Sequence, residues 1–139
     1  MKFYSIISKM NKFIILTTIL LIKSVFGLYS GDATFYGDGG AGAQGACMLP
    51  VNFNNIQNTV AINPYQYENG QACGKCVIIY PSSNGIGMTP IASPIFATID
   101  NLCPECKNGD IDIGLGGDGR WIVNWEFTPC QRNLRGSAK

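Results

Sequence analysis

Residues 95–127 read IFATIDNLCPECKNGDIDIGLGGDGRWIVNWEF. Three short runs in it, IFATID (95–100), DIDIG (110–114) and WIVNWEF (121–127), alternate apolar with polar side chains between Gly, Asn and Pro. That is the period-2 signature of strands, not the 3.6-residue spacing of a helix. In IFATID, Ile95, Ala97 and Ile99 fall on one face and Phe96, Thr98 and Asp100 on the other. Asp100 therefore ends a strand facing away from the isoleucine row. Asp112 stands inside DIDIG between Ile111 and Ile113.

Outward from this stretch the pattern repeats in DATFYG (32–37), TVAINP (59–64) and CVIIYP (76–81), which makes about six strands. The one short helical candidate, Pro64 to Glu68, amounts to a single turn. Neither linker nor internal repeat interrupts residues 28–139, so these are expected to form one domain. Six strands in so short a chain predict an all-β fold, a small closed barrel in which closure removes the exposed edges.

The first 27 residues read differently. Lys2, Lys9 and Lys12 precede the apolar run Phe13–Ile22, which is too short to span a bilayer, and Lys23 interrupts it. We expect a secretory leader over 1–27, with Val25 and Gly27 as the small residues at the cleavage site, and an extracellular destination. Four of the ten Lys and Arg lie in this leader and none of the nine Asp and Glu do, so residues 28–139 carry a net charge of −3. An acidic surface without a basic cluster argues against nucleic acid or an anionic membrane as partner once the leader is removed. Neutral sugars remain compatible.

All six cysteines, Cys47, Cys73, Cys76, Cys103, Cys106 and Cys130, lie beyond the leader. An even number in a chain bound for an oxidising compartment predicts three disulfides. The two C-x-x-C pairs, 73/76 and 103/106, also admit a four-thiolate zinc reading, but the 26 residues between them exceed zinc-ribbon spacing and Cys47 and Cys130 would be left over. Asp110, Asp112 and Asp118 fit neither register of a calcium loop. GDGGAGAQGA (37–46) lacks the Gly-Lys-Ser/Thr ending of a phosphate loop. Neither metal nor other cofactor is expected. The chain has no histidine, which removes Ser-His-Asp and Cys-His catalysis.

What remains is a pair of carboxylates, Asp100 and Asp112, with Thr34, Tyr36, Trp121 and Trp125 on strands of the same set. Carboxylates and hydroxyls bond sugar OH groups, and aromatic faces stack on the apolar faces of pyranose rings. Trp125, inside the alternating WIVNWEF, reads as core; Trp121 is balanced between core and groove.

These residues carry a likeness. GDATFYG with the later GAC, then TVAINPYQYENGQACGKCVIIYP, then ATIDNLCPEC with GDIDIG, then GRWIVNWEFTPC follow in order the landmarks of the N-terminal domain of expansins and their microbial relatives, from about Gly31 to Cys130. The resemblance implies a six-stranded double-psi β-barrel and an open groove for cellulose or another cell-wall β-glucan, bound without a cofactor. It implies Thr34, Asp100 and Asp112 as groove residues, and beside them we expect Tyr36 and Trp121 to stack along a bound chain. Its cysteine order implies bridges Cys47–Cys73 and Cys76–Cys130, which leaves Cys103 and Cys106 to each other. The sequence also departs from the family pattern. TIDNLCP has one residue more between Asp and Cys-Pro, the short helix after the Asp112 motif is almost absent, and only QRNLRGSAK follows Cys130 in place of a second domain. The single-domain, loosenin-like members are the better match.

The resemblance makes a non-hydrolytic, wall-loosening polysaccharide binder the leading expectation, with no catalytic residue. The related family-45 glycoside hydrolases supply the enzyme alternative, an inverting reaction that needs an acid and a base about 6.5–9.5 Å apart. There Asp112 would be the acid, and Asp38, in TFYGD, the base. Lytic transglycosylases and secreted protease inhibitors share the barrel and form a third class.

Overall fold

The computed structural model describes residues 27–37, 45–50, 53, 58–88 and 90–130. Residues 1–26 of the expected leader and Asp38 lie outside them. Six strands are present: β1 (Tyr29–Phe35), β2 (Thr59–Ile62), β3 (Cys76–Ile86), β4 (Ile95–Leu102), β5 (Ile111–Ile113) and β6 (Arg120–Thr128). They close into one barrel in the order β1-β5-β2-β4-β3-β6. β1 runs parallel to β5 and β2 parallel to β4, and the other neighbours are antiparallel. The small closed barrel expected from the strand pattern is thus present, as the six-stranded double-psi β-barrel that the resemblance implies.

Alternation decides which side chains fill it. Ala33, Val60, Ile62, Val77, Ile79, Ala97, Ile99, Ile111, Ile113, Val123 and Trp125 are all fully buried in one core. Trp125 is its largest member, packed against Tyr29 at 4.5 Å between ring centroids and donating its indole N–H to Gly109 O at 2.7 Å. A Trp this deep meets the requirement that a buried N–H find a partner, and its truncation to Ala costs about 3–5 kcal/mol.

After β2, Asn63 accepts from the backbone N–H of Tyr65 and Gln66 and starts a one-turn helix, α1 (Pro64–Tyr67), with proline at its first position. Glu68, in the left-handed region at φ 51°, ends it. The turn is the helical candidate read from the sequence, shorter by one residue. β3 runs further than the sequence pattern indicated, past Pro81 to Ile86, where it pairs with β6 alone through a register shift between Pro81 and Gly85. Proline and a slipped register suit a segment with a partner on one side only.

All six cysteines are bridged, as Cys47–Cys73, Cys76–Cys130 and Cys103–Cys106, so no thiolate remains for a zinc site. Cys76–Cys130 ties the start of β3 to the segment after β6, and Cys47–Cys73 ties the loop after β1 to the turn following α1.

Candidate functional site

β5 is three residues long, and its burial pattern is in-out-in: Ile111 and Ile113 enter the core and Asp112 turns outward. On β1, Ala33 and Phe35 point inward and Thr34 points outward. The parallel register sets Thr34 beside Asp112, and the Thr34 hydroxyl donates to Asp112 Oδ1 at 2.7 Å.

β1 pairing continues for one residue beyond the strand, where Tyr36 N donates to Ile113 O. This carries the Tyr36 side chain over the end of β5 toward β2 and β4. Its hydroxyl lies 3.1 Å from Thr59 Oγ1 and donates to Asp100 Oδ1 at 3.3 Å. Gly114 makes this possible: a Cβ there would stand 2.5 Å from Thr59 Oγ1 and 2.7 Å from the Tyr36 hydroxyl oxygen. Asp100 sits where the β2–β4 register slips, since Val60 opposes Ile99 and Ala61 opposes Asn101. The longer Asp-to-Cys spacing thus coincides with a bulge, and Asp100 faces Tyr36 and Thr59.

Thr34, Tyr36, Asp100 and Asp112 therefore converge on one outer face. Between the two carboxylates runs β2, with Ala61 directly opposite Asp112, so they are separated by two strand spacings, or about 10 Å of sheet. Their exposures differ. Asp112 is half-buried, whereas Asp100, bonded by Tyr36 and Thr59, is only 6% exposed. Burial raises the pKa of both above the ordinary carboxylate value; the Thr34 bond opposes this at Asp112, and the Thr59 and Tyr36 bonds oppose it at Asp100. Burial likewise pushes the Tyr36 hydroxyl up to about 12, with Thr59 opposing and Asp100 adding to the rise. Tyr36 is accordingly a neutral donor at every physiological pH.

An open cleft of about 420 Å³ adjoins the Thr34–Asp112 pair and shares Thr34 with it. One wall is the loop closed by Cys103–Cys106, carrying Glu105 and Lys107; the other is Asp32 with Arg120, joined by a 2.8 Å ion pair. Asp110 fastens the walls together: Oδ1 accepts from Asp32 N and Oδ2 from Lys107 N.

Trp121 is not part of this face, which corrects the expectation of a stacking platform. It lies directly opposite Ala33, in phase with Val123 and Trp125, and is 6% exposed. Its indole N–H donates to Asp118 O, and its ring rests on the backbone of Gly85, where any Cβ would overlap it. Thr59, by contrast, escaped the sequence reading although it bonds Tyr36. As the hydroxyl residue opening an apolar strand it was visible, but nothing local tied it to Tyr36. The Arg120–Asp32 pair was missed for the same reason. Asp38, the base of the hydrolase alternative, is outside the described residues.

No protein-family model matches the chain. Among solved structures, apo expansin from Clavibacter michiganensis superposes with a TM-score of 0.56 at 20% identity, over 79% of this chain and 53% of that one. A point mutant of the same expansin in complex with cellohexaose gives 0.56 at 19% identity, over 81% and 54% respectively. The Streptomyces papain inhibitor gives 0.50 at 25% identity, over 73% of this chain and 94% of that one. The chain spans about half the length of the expansin structures it matches. Its fold is the expansin-like closed barrel, with the Thr34–Asp112 pair and the Tyr36–Thr59–Asp100 cluster on one outer face.

Proposed function

We propose that the protein is a secreted, non-hydrolytic polysaccharide-binding protein that loosens contacts between cell-wall β-glucan chains. The observation that carries this is the half-buried Thr34–Asp112 pair, whose Thr34 lines a cleft. Thr34 bonds one carboxylate oxygen and the Ile113 backbone adds a second bond, and the carboxylate so held accepts a hydroxyl from a sugar. Such a charge-assisted bond competes with the hydroxyl-to-hydroxyl bonds that hold one glucan chain to the next. Asp100 acts at one remove: it holds the Tyr36 hydroxyl, and Tyr36 stacks along the bound chain. Local slippage then requires binding alone. The bacterial expansin solved with cellohexaose, on the same fold, supports a β-glucan ligand. The leader read over 1–27 and the three disulfides support secretion.

Asp100 offers no second base beside Asp112, being 6% exposed and bonded by Tyr36 and Thr59, so the hydrolase alternative rests on Asp38, outside the described residues. A protease-inhibitor reading has one observation in its favour, the Streptomyces inhibitor whose whole length the barrel nearly matches.

One experiment separates the three. The oxidised protein, Asp112→Asn and Asp38→Asn are incubated with insoluble β-glucan, and bound protein and released reducing sugar are read from the same tubes. Binding without sugar release, weakened about 5- to 10-fold in Asp112→Asn, is the expected result. Sugar release abolished by either substitution means a hydrolase with Asp38 as base. Absence of glucan binding, together with papain inhibition unaffected by Asp112→Asn, means an inhibitor.

A further inference from the structure

We propose that the cleft beside Thr34 continues the Asp112 site and selects a sugar unit bearing a protonated amine, so that the preferred ligand is an amine-bearing β-linked polysaccharide. This rests on the polysaccharide reading above and names the substrate class of that same site.

The cleft, about 420 Å³, is within the range of roughly 300–1,000 Å³ typical of small-molecule pockets, and Thr34 belongs to both it and the Asp112 pair. A chain lying across Asp112 therefore places a neighbouring ring in the cleft. Around that ring the charges are unequal. Asp32, Glu105 and Asp110 line the walls and Asp112 adjoins them, against two cations, Lys107 and Arg120. Arg120 is already committed to Asp32 at 2.8 Å. Asp110 gives both oxygens to backbone N–H groups, which fixes it without cancelling its charge. Glu105 is exposed and, among the described residues, accepts no hydrogen bond and forms no ion pair. Its charge reaches the neighbouring site, where it helps to hold the Asp112 carboxyl above its ordinary range after the larger effects of burial and of the opposing Thr34 bond.

The consequence is a cleft lined with a surplus of one negative charge, with the Asp112 carboxyl beside it. A uronate-bearing chain is repelled, and the guanidinium that would receive it is occupied. A neutral chain gains ordinary hydrogen bonds. An ammonium-bearing chain gains charge-assisted bonds, which are about twice as strong. Residues 28–139 as a whole, at −3, reinforce that order at long range.

The test is calorimetric titration of the oxidised protein with four hexasaccharides: β-linked glucosamine, its N-acetylated counterpart, β-linked glucose and galacturonate. Titrations are run at a pH where the free amine is protonated, at low and at high salt. Glucosamine is expected to bind about 5-fold tighter than glucose at low salt, an advantage that high salt largely removes. Its N-acetylated form, with the charge removed, should match glucose, and galacturonate should bind weakest. Glu105→Gln, an exposed and conservative change, should cut the ratio of glucosamine to glucose affinity, both measured on the variant, about 3-fold. Equal or tighter binding of glucose at low salt, or a preference for galacturonate, overturns the inference and leaves the neutral-glucan reading standing. If no hexasaccharide binds, both fall together.

Discussion

Tyr36 gains its position from Thr59 and Asp100. With its hydroxyl 3.1 Å from Thr59 and 3.3 Å from Asp100, it is held by two partners, and Asp100 in turn draws on Thr59. Thr59→Val keeps the shape and removes the shared hydroxyl. It should lower stability by about 1–2 kcal/mol and weaken glucan binding, read as a shift in urea midpoint and in pull-down. Thr59→Ser should restore both; if Ser and Val behave alike, the methyl packing and not the hydroxyl matters. Burial also makes Asp100 favour its neutral form, so the folded protein holds that proton more tightly than the unfolded chain. This group's contribution to stability is then largest below the ordinary value of 3.8, falls as pH rises through the raised folded value, and stays constant above it. Asp100→Asn should flatten that decline, so its melting temperature should gain on wild type as weak acid gives way to neutral pH; parallel pH profiles for the two proteins would sink the argument. The outward direction of Thr34 and Asp112 was legible, because strand parity turns both away from the core. Trp121 was misread although it has the parity of Trp125, so that a core reading for one implies a core reading for the other. Thr59 was not legible because its partners come from β1 and β4, and no local pattern joins three strands so far apart in sequence.

At the level of elements, bridges and turns fix what the strands leave free. The sequence separations closed by the disulfides are 54 for Cys76–Cys130, 26 for Cys47–Cys73 and 3 for Cys103–Cys106. Chain entropy alone ranks their stabilisation at about 4, 3.5 and 1.6 kcal/mol. Paired Cys-to-Ala variants should follow that order in urea midpoint. Cys103→Ala/Cys106→Ala, the least costly, should still impair binding more than its stability loss implies, because that bridge shapes the cleft wall carrying Glu105. Full binding by this variant would show that the wall contributes nothing. The strands themselves were readable from alternation, except for the end of β3. Ser82, Ser83 and Asn84 fall beyond the CVIIYP run because small polar residues break strand patterns, and β3 carries on through them as the irregular stretch between the Pro81–Val123 and Gly85–Trp121 pairings with β6.

The whole molecule depends on closure. β6 pairs with β1 on one side and β3 on the other, so the first described strand meets the last, and the barrel is incomplete until the far ends of the chain come together. Closure of such separated pairs makes folding slow, in about milliseconds to seconds, and leaves no sub-barrel with its own core, since every strand contributes to the single cluster around Trp125. Both outer carboxylates hang on this arrangement: Asp112 faces Thr34 only when β5 lies between β1 and β2, and Asp100 meets Tyr36 only when β4 lies beyond β2. Function and global fold should therefore be lost in one step. Trp121 and Trp125 both report from the β6 side of the barrel, and far-UV dichroism reports on all strands, so in urea the two signals and the loss of glucan binding should share a single midpoint. Binding lost at lower urea than the tryptophan signal would mean that β5 and its flanking turns, only three paired residues long, detach from an otherwise closed sheet.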